Sequence, residues 1–226
     1  MPKKLGAIFV ALGAVLILSA LLLFLHNKQE DRRAGQEAET LLTQLRSVME
    51  SRQAETQPTQ STAPTAETTA EEETQPTTTT EPTESTGPLD PEMPRVWMDG
   101  VDYIGYLTIP DLELELPVIA DWTYERLQTA PCRQFGSSRT DDLVIAAHNY
   151  ESHFGTLKNL ELGARITFTD MEQIVNHYVL VRLENIDPTN IDAVQYSGHD
   201  LVLYTCTPGG ALRVAAFFDR DTDPEA

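Results

Sequence analysis

Cys206 is the residue in this chain whose type and setting most favour chemistry. It ends the β-forming run LVLYTC, and Pro208, Gly209 and Gly210 then enforce a turn. The chain resumes as a second β-forming run that contains Arg213. On adjacent antiparallel strands, the Arg213 guanidinium could reach the thiol, where it would favour the thiolate and hold a developing oxyanion. This pattern predicts a nucleophilic cysteine with an arginine partner.

His148 is the second candidate, because it ends the apolar run LVIAAH and opens a loop. An imidazole can act as a general acid or base near neutral pH, or form an ion pair with a thiolate. Taken singly, Cys206, His148 and Arg213 could each be structural residues, since a free cysteine is often a small buried hydrophobe.

Short β-rich runs separated by turn signals must position these residues. Two helical stretches are predicted, at 123–130 and 153–160, and both are short. Many strands with few helices indicate a mainly β fold, either a sandwich or a closed barrel. The predicted strands are 103–109, 112–119, 142–148, 164–170, 177–186, 200–206 and 211–218.

The N-terminal region is a separate unit, because Leu5–Leu25 is 21 residues long and contains no charged side chain. At about 1.5 Å per residue, such a helix crosses a hydrocarbon core of roughly 30 Å. A cleavable signal peptide has a shorter apolar region and a small-residue cleavage site, which this run lacks. Residues 1–28 are therefore predicted to be an uncleaved signal-anchor that places the rest of the chain outside the cell.

The segment between the anchor and the β-rich region has two parts. Residues 29–54 have apolar side chains at helical spacing and predict a juxtamembrane amphipathic helix, which could be a stalk or a simple surface helix. Residues 55–94 are rich in Thr, Pro and Glu and predict a disordered linker, because they offer almost no apolar surface to bury. Residues 95–226 remain for a catalytic domain that is large enough to bury its own core.

Charge and cysteine count exclude several classes of protein. The formal net charge of −19 argues against a nucleic-acid partner, which needs clustered Lys and Arg. Two cysteines exclude a disulfide scaffold and a mainly cysteine zinc site. Cys132 is predicted to be a buried thiol, with a bridge to Cys206 as the alternative. No cofactor or metal is predicted, although the acids Asp141, Asp142 and Glu151 leave calcium open.

Taken together and in order, these motifs resemble the sortase family. The resemblance covers nearly all of residues 101–218, and the arrangement of anchor, stalk and domain is also similar. The matching segments are YIGYLTIP (103–110), LELPVI (114–119), LVIAAHNY (143–150), FGTLKNLELGARITFTD (154–170) and LYTCTPGGALRV (203–214).

The resemblance implies an eight-stranded β-barrel with Cys206, His148 and Arg213 as catalytic residues. It also implies a transpeptidase that cleaves a C-terminal LPxTG-like sorting signal on surface proteins through a thioester. The acyl group would pass to an amine of a peptidoglycan precursor or of a pilin Lys. In this scheme His148 donates to the leaving amine, and Arg213 holds substrate and oxyanion.

The sequence departs from the family pattern at two places. Ala147 stands where Gly is common, and only six residues separate Cys206 from Arg213. The HNY motif resembles class B weakly, so the subclass stays open. His153 is expected to be an exposed loop residue, with a backup acid as the alternative. Two other functions remain, namely a degenerate scaffold or binding module and a Cys/His cell-wall hydrolase.

Overall fold

The computed structural model describes residues 2–56 and 91–223. One long helix, α1 (Pro2–Thr56), precedes a β-rich region with two single-turn helices, α2 (Tyr124–Leu127) and α3 (Asp192–Gln195). The described residues form nine strands: β1 (Val96–Met98), β2 (Val101–Ile109), β3 (Leu114–Ile119), β4 (Cys132–Phe135), β5 (Leu143–Ala146), β6 (Arg165–Asp170), β7 (Val175–Ile186), β8 (Leu201–Cys206) and β9 (Arg213–Arg220).

Eight of these strands close into a barrel, as expected. Their order is β2-β3-β4-β5-β8-β9-β7-β6, and pairing between β2 and β6 joins the two ends. The pairs β3–β4 and β5–β8 are parallel, and the other neighbours are antiparallel. β1 pairs with the first residues of β2 and is not one of the eight strands of the closed barrel. Closure leaves no free edge along most of the barrel.

The predicted strands are all present, but β1 and β4 were not predicted. β1 has only three residues, and β4 reads CRQF, with two polar residues in four. Neither is long enough to show a period of two, so only pairing with a neighbour identifies it. The predicted helix at 123–130 reduces to the single turn α2, and the stretch at 153–160 reduces to a 3₁₀ turn at Leu157–Asn159.

The interior of the barrel is filled by large apolar side chains that alternate along the strands. Ile104, Leu107, Phe168, Leu203 and Phe218 are among the fully buried members of the main cluster. Burying such side chains is worth about 1.5–3 kcal/mol each before entropy costs. This core fixes the strand ends that carry the candidate site.

Helix α1 has two halves with different surroundings. Its first half is long and apolar enough to cross a membrane, with a mean hydropathy of 3.0 in its most apolar stretch, and no residue of that stretch is buried against protein. The second half packs on the barrel, and Arg46 forms an ion pair of 2.9 Å with Glu115 of β3. The buried positions recur every three or four residues: Ala34, Ala38, Leu42, Leu45 and Met49.

The apolar face of the amphipathic helix predicted at 29–54 packs on the barrel. Leu45 and Met49 share a hydrophobic cluster with Tyr103 and Ile119 of the barrel. Residues 57–90, which contain most of the linker predicted at 55–94, lie outside the described residues. The division of the chain into these four segments stays a prediction.

Candidate active site

One end of the barrel brings together the strand ends that carry the three candidate residues. β5 and β8 are parallel neighbours, with Ala146 opposite Tyr204. β5 ends two residues before His148 and β8 ends at Cys206, so both residues lie at the same end of this parallel pair. The Thr205 hydroxyl donates to the Ala147 carbonyl at 2.9 Å, which ties the start of the His148 loop to β8.

Arg213 lies directly opposite Cys206 in the antiparallel pair β8–β9. The tight turn between them makes this pairing, since the Thr207 amide donates to the Leu212 carbonyl at 2.9 Å. Gly209 and Gly210 have φ values of +82° and +75°, a left-handed conformation that residues with a side chain rarely adopt. The short turn thus fixes the arginine beside the thiol.

Cys206 and Arg213 line one cavity of about 190 Å³. One wall comes from the segment after β3, with Trp122, Tyr124 and Leu127, and another from the segment after β7, between Ile186 and Val194. The Trp122 and Tyr124 rings meet edge to face at 4.8 Å between centroids. The cleft has apolar and aromatic walls together with a guanidinium, a thiol and the polar side chains of Gln134, Asp187 and Asn190. Such a cleft can hold part of an extended peptide and present its carbonyl to sulfur.

The two cysteines occupy opposite environments and are both free thiols. Cys206 is half-buried at the cavity, whereas Cys132 is fully buried at the start of β4, opposite Ala146 of β5. Burial raises the pKa of the Cys132 thiol to about 12, which keeps it protonated and unreactive at neutral pH. The prediction of a buried Cys132 is confirmed, and the alternative of a bridge to Cys206 is wrong.

The Arg213 side chain is oriented by its own turn. Its Nη1 donates to the carbonyls of Gly210 at 3.1 Å and Leu212 at 3.2 Å. These bonds use one nitrogen of the guanidinium and hold the planar group at the rim of the cavity. A positioned guanidinium of this kind can bind a carbonyl oxygen as it acquires negative charge.

His148 lies at the same barrel end, but its ring lines a neighbouring cavity. The ring stacks on Tyr150, with 4.5 Å between centroids and 11° between planes. That second cavity, of about 440 Å³, lies between the loop after β5 and helix α1, whose Phe24, Lys28 and Asp31 form its other wall. The structure thus joins Cys206 and Arg213 in one cavity and places His148 beside them at the adjoining one.

His153 is fully buried, so the expectation of an exposed loop residue is wrong. The ring packs under helix α1 and lies 5.5 Å from Tyr150 between centroids. Neither ring nitrogen makes a hydrogen bond of normal geometry within the described residues. Burial lowers the pKa of His153 to about 4; the charge of His148 adds to this effect, and Asp31 and the Ala34 carbonyl oppose it. His153 is therefore neutral near pH 7.

Sequence reasoning missed the residues that complete the walls of the site. Gln134 of β4 accepts a hydrogen bond from the Tyr204 hydroxyl, and burial raises the pKa of Tyr204 to about 12. Trp122 and Tyr124 carry no motif of their own. The structure gives one sign of a role for them, because Tyr124 is 77% exposed. No pattern in the sequence shows this exposure.

Comparison with known proteins gives a family match for the same region. The family model described as the sortase domain matches residues 107–217, from within β2 to within β9. Among solved structures, sortase C1 from Streptococcus suis is 25% identical, covers 53% of this chain and 73% of its own, and has a TM-score of 0.47. A search of curated proteins finds no match.

Two further solved structures are similar at lower identity. Sortase A from Corynebacterium diphtheriae is 17% identical, with 56% of this chain and 64% of its own covered and a TM-score of 0.49. Clostridium perfringens sortase C, solved with the C-terminal cell wall sorting motif, is 21% identical, with 53% and 71% covered and a TM-score of 0.47.

Proposed function

Because this chain belongs to the sortase family through residues 107–217, we propose that it is a membrane-anchored cysteine transpeptidase with its catalytic domain outside the cell. The observation that supports this most is the direct pairing of Cys206 with Arg213 at a shared cavity. The half-buried thiol is the nucleophile, since Cys132 is enclosed and protonated.

The first half of the reaction forms a thioester. The Cys206 thiol gives its proton to His148, the resulting thiolate attacks the carbonyl carbon that precedes the cleaved peptide bond, and Arg213 holds the carbonyl oxygen as it becomes negative. The carbon–nitrogen bond then breaks, and the leaving amine takes a proton from His148. For this step the His148 ring leaves its stack on Tyr150 and turns toward the cavity that contains Cys206.

The second half transfers the acyl group to an amine. The incoming amine attacks the thioester carbon, gives up a proton to His148 and displaces the Cys206 thiolate. A new amide bond replaces the carbon–sulfur bond, so no net oxidation or hydrolysis occurs. The proposed donor is a surface protein with an LPxTG-like C-terminal sorting signal, and the proposed acceptor is an amine of a peptidoglycan precursor or of a pilin Lys.

Intact-mass spectrometry on the full chain tests the proposal with a panel of sorting-signal peptides. The expected result is an acyl adduct on the wild-type chain and on Cys132→Ser, and none on Cys206→Ala, because no other nucleophile can replace the thiol. The two cysteine variants are matched controls for one another. An adduct on Cys132, or one that survives in Cys206→Ala, would contradict the proposed site.

The same assay separates transfer from hydrolysis. A transpeptidase releases the acyl group faster when an amine acceptor is present and forms the corresponding amide. Release to water at the same rate with and without the amine would favour a cell-wall hydrolase instead. A chain that forms no adduct with any peptide, and whose Cys206 reacts with thiol reagents no faster than a denatured control, would favour a scaffold.

A further inference from the structure

Helix α1 holds the loop that carries His148. The Asp31 carboxylate accepts hydrogen bonds from the backbone N–H of Ser152 at 3.0 Å and from its hydroxyl at 2.9 Å. The same hydroxyl lies 2.9 Å from the main-chain carbonyl of Asp31. Asp31 is 9% exposed, so water cannot readily replace these partners.

A second contact joins the same two segments. Lys28 forms an ion pair with Glu151 at 2.6 Å and lies 3.5 Å from Asp31. Gly35 permits the close approach, since a Cβ there would lie 3.0 Å from the Cβ of Ser152. Helix α1 and the loop after β5 therefore contact each other closely at Ser152.

Asp31 is ionised at neutral pH in this setting. Burial acts against the charge, but the hydrogen bonds from Ser152 and the charge of Lys28 outweigh it, so the pKa of Asp31 is lowered. A charged acceptor makes stronger hydrogen bonds than a neutral one, and a buried donor that loses it is left unsatisfied.

The loop transmits this restraint to His148 because it is folded as one unit. The Phe154 amide donates to the His148 carbonyl at 3.2 Å, and the Gly155 amide donates to the Tyr150 carbonyl at 2.8 Å. Tyr150 is also the residue on which the His148 ring stacks. A shift at Ser152 therefore moves both the His148 backbone and the surface that supports its ring.

We propose that Asp31 is a positioning residue for His148, so that the juxtamembrane part of the anchor helix completes the active site. This inference rests on the proposed function and assigns α1 a role in that same site. Asp31 acts through Ser152 and touches neither the thiol cavity nor Arg213 among the residues that line it.

The test compares Asp31→Ala with Asp31→Asn in the full chain, held in lipid nanodiscs. Misplacing a reacting group by about 1 Å can cost roughly 10² in rate, so Asp31→Ala is expected to lower kcat by about 10- to 100-fold. The KM for the donor peptide should change by less than about twofold, since the thiol cavity is untouched. Asp31→Asn keeps an oxygen acceptor for Ser152 and should retain kcat within about threefold.

Arg46→Ala is the matched control, because it removes an ion pair between α1 and β3 far from the His148 loop. Its kcat should stay within about twofold of wild type. An Asp31→Ala chain with wild-type kcat would overturn the inference. So would an Asp31→Asn chain that is as impaired as Asp31→Ala while its loop amides exchange as slowly as in wild type, because the loss would then come from the charge and not from the position of the loop. An Arg46→Ala chain as impaired as either variant would also overturn it.

Hydrogen exchange of the loop amides separates this inference from the proposed function. Asp31→Ala should raise exchange at residues 148–155 at least tenfold, and Arg46→Ala should not. If the wild-type chain forms no thioester, the proposed function fails, and exchange still reports whether Asp31 holds the loop. If thioester forms normally and both exchange and kcat are unchanged in Asp31→Ala, only the inference fails.

Discussion

Arg213 and Cys206 are an example of a site made by backbone pairing, since each residue is placed by its strand. Arg213 donates from one nitrogen, Nη1, to two carbonyls of its own turn, and the residue lines the cavity that contains Cys206. Lysine at this position would keep the positive charge but would lose the rigid planar fork. At the scale of the residue, the proposed role of Arg213 therefore depends on the planar shape of its guanidinium as well as on its charge.

Arg213→Lys is expected to lower kcat by about 10²–10³, which is the usual cost of removing one oxyanion donor. The measurement is steady-state peptide cleavage with an amine acceptor. Arg182→Lys is the control, because Arg182 stacks on Phe217, with 3.9 Å from the guanidinium carbon to the ring centroid, on β7 away from the cavity. Equal rates for Arg213→Lys and wild type would show that Arg213 does not hold the reacting carbonyl.

At the scale of the element, the loop after β5 contributes a pH-dependent part of the stability through His153. His153 faces Tyr150 and His148 within that loop, and Asp31 and the Ala34 carbonyl on α1. An unfolded histidine takes up a proton near pH 6.5, but the buried one does so only near pH 4. Between these values the unfolded chain binds more protons, so stability falls as pH is lowered.

His153→Phe should remove this pH dependence. A shift of this size is worth about 3 kcal/mol when fully expressed, so the free energy of unfolding of wild type should fall by up to about that amount between pH 6.5 and pH 4. The variant should show a correspondingly flatter profile in denaturant titrations of the full chain. His177→Phe, at a half-buried position on β7, should keep the wild-type slope. Identical slopes for wild type and His153→Phe would refute the assignment.

At the scale of the whole molecule, the apolar N-terminal run and the segment that packs on the barrel belong to one uninterrupted helix, α1. Asp31 lies six residues beyond the end of the apolar run at Leu25, a rise of about 9 Å along α1. The loop that carries His148 is therefore expected to lie close to the membrane surface. Substrates that are themselves held in the membrane would reach the site without crossing a large gap.

Thiol labelling of wall-stripped cells tests the orientation of the chain. A sulfonated maleimide that cannot cross membranes should label the wild-type chain in intact cells, because Cys206 is accessible and Cys132 is buried. Cys206→Ala should stay unlabelled until the protein is denatured. Labelling of wild type only after the membrane is lysed would place the catalytic domain inside the cell.

The positions of most strands along the chain, and the candidate residues, could be predicted from the sequence because both leave local marks. Apolar runs bounded by turn residues identified seven strands, and the Pro208–Gly210 turn identified the Cys206–Arg213 hairpin. The resemblance to the sortase family predicted two further features, the closed barrel and the role of His148. β1 and β4 escaped because three or four residues carry no period that a sequence pattern can detect.

The sequence by itself determined that the chain has an N-terminal apolar run long enough to cross a membrane and a mainly β domain, and it singled out Cys206 as the candidate nucleophile. Only the tertiary structure decided which side chains are buried and which surface packs against each of them. It buried His153, turned the His148 ring toward Tyr150 and docked residues 34–49 of α1 on the barrel. The physical reason is that periodicity shows which face of a helix is apolar but not which surface will bury it, because that depends on contacts between residues more than 100 positions apart, such as Asp31 and Ser152.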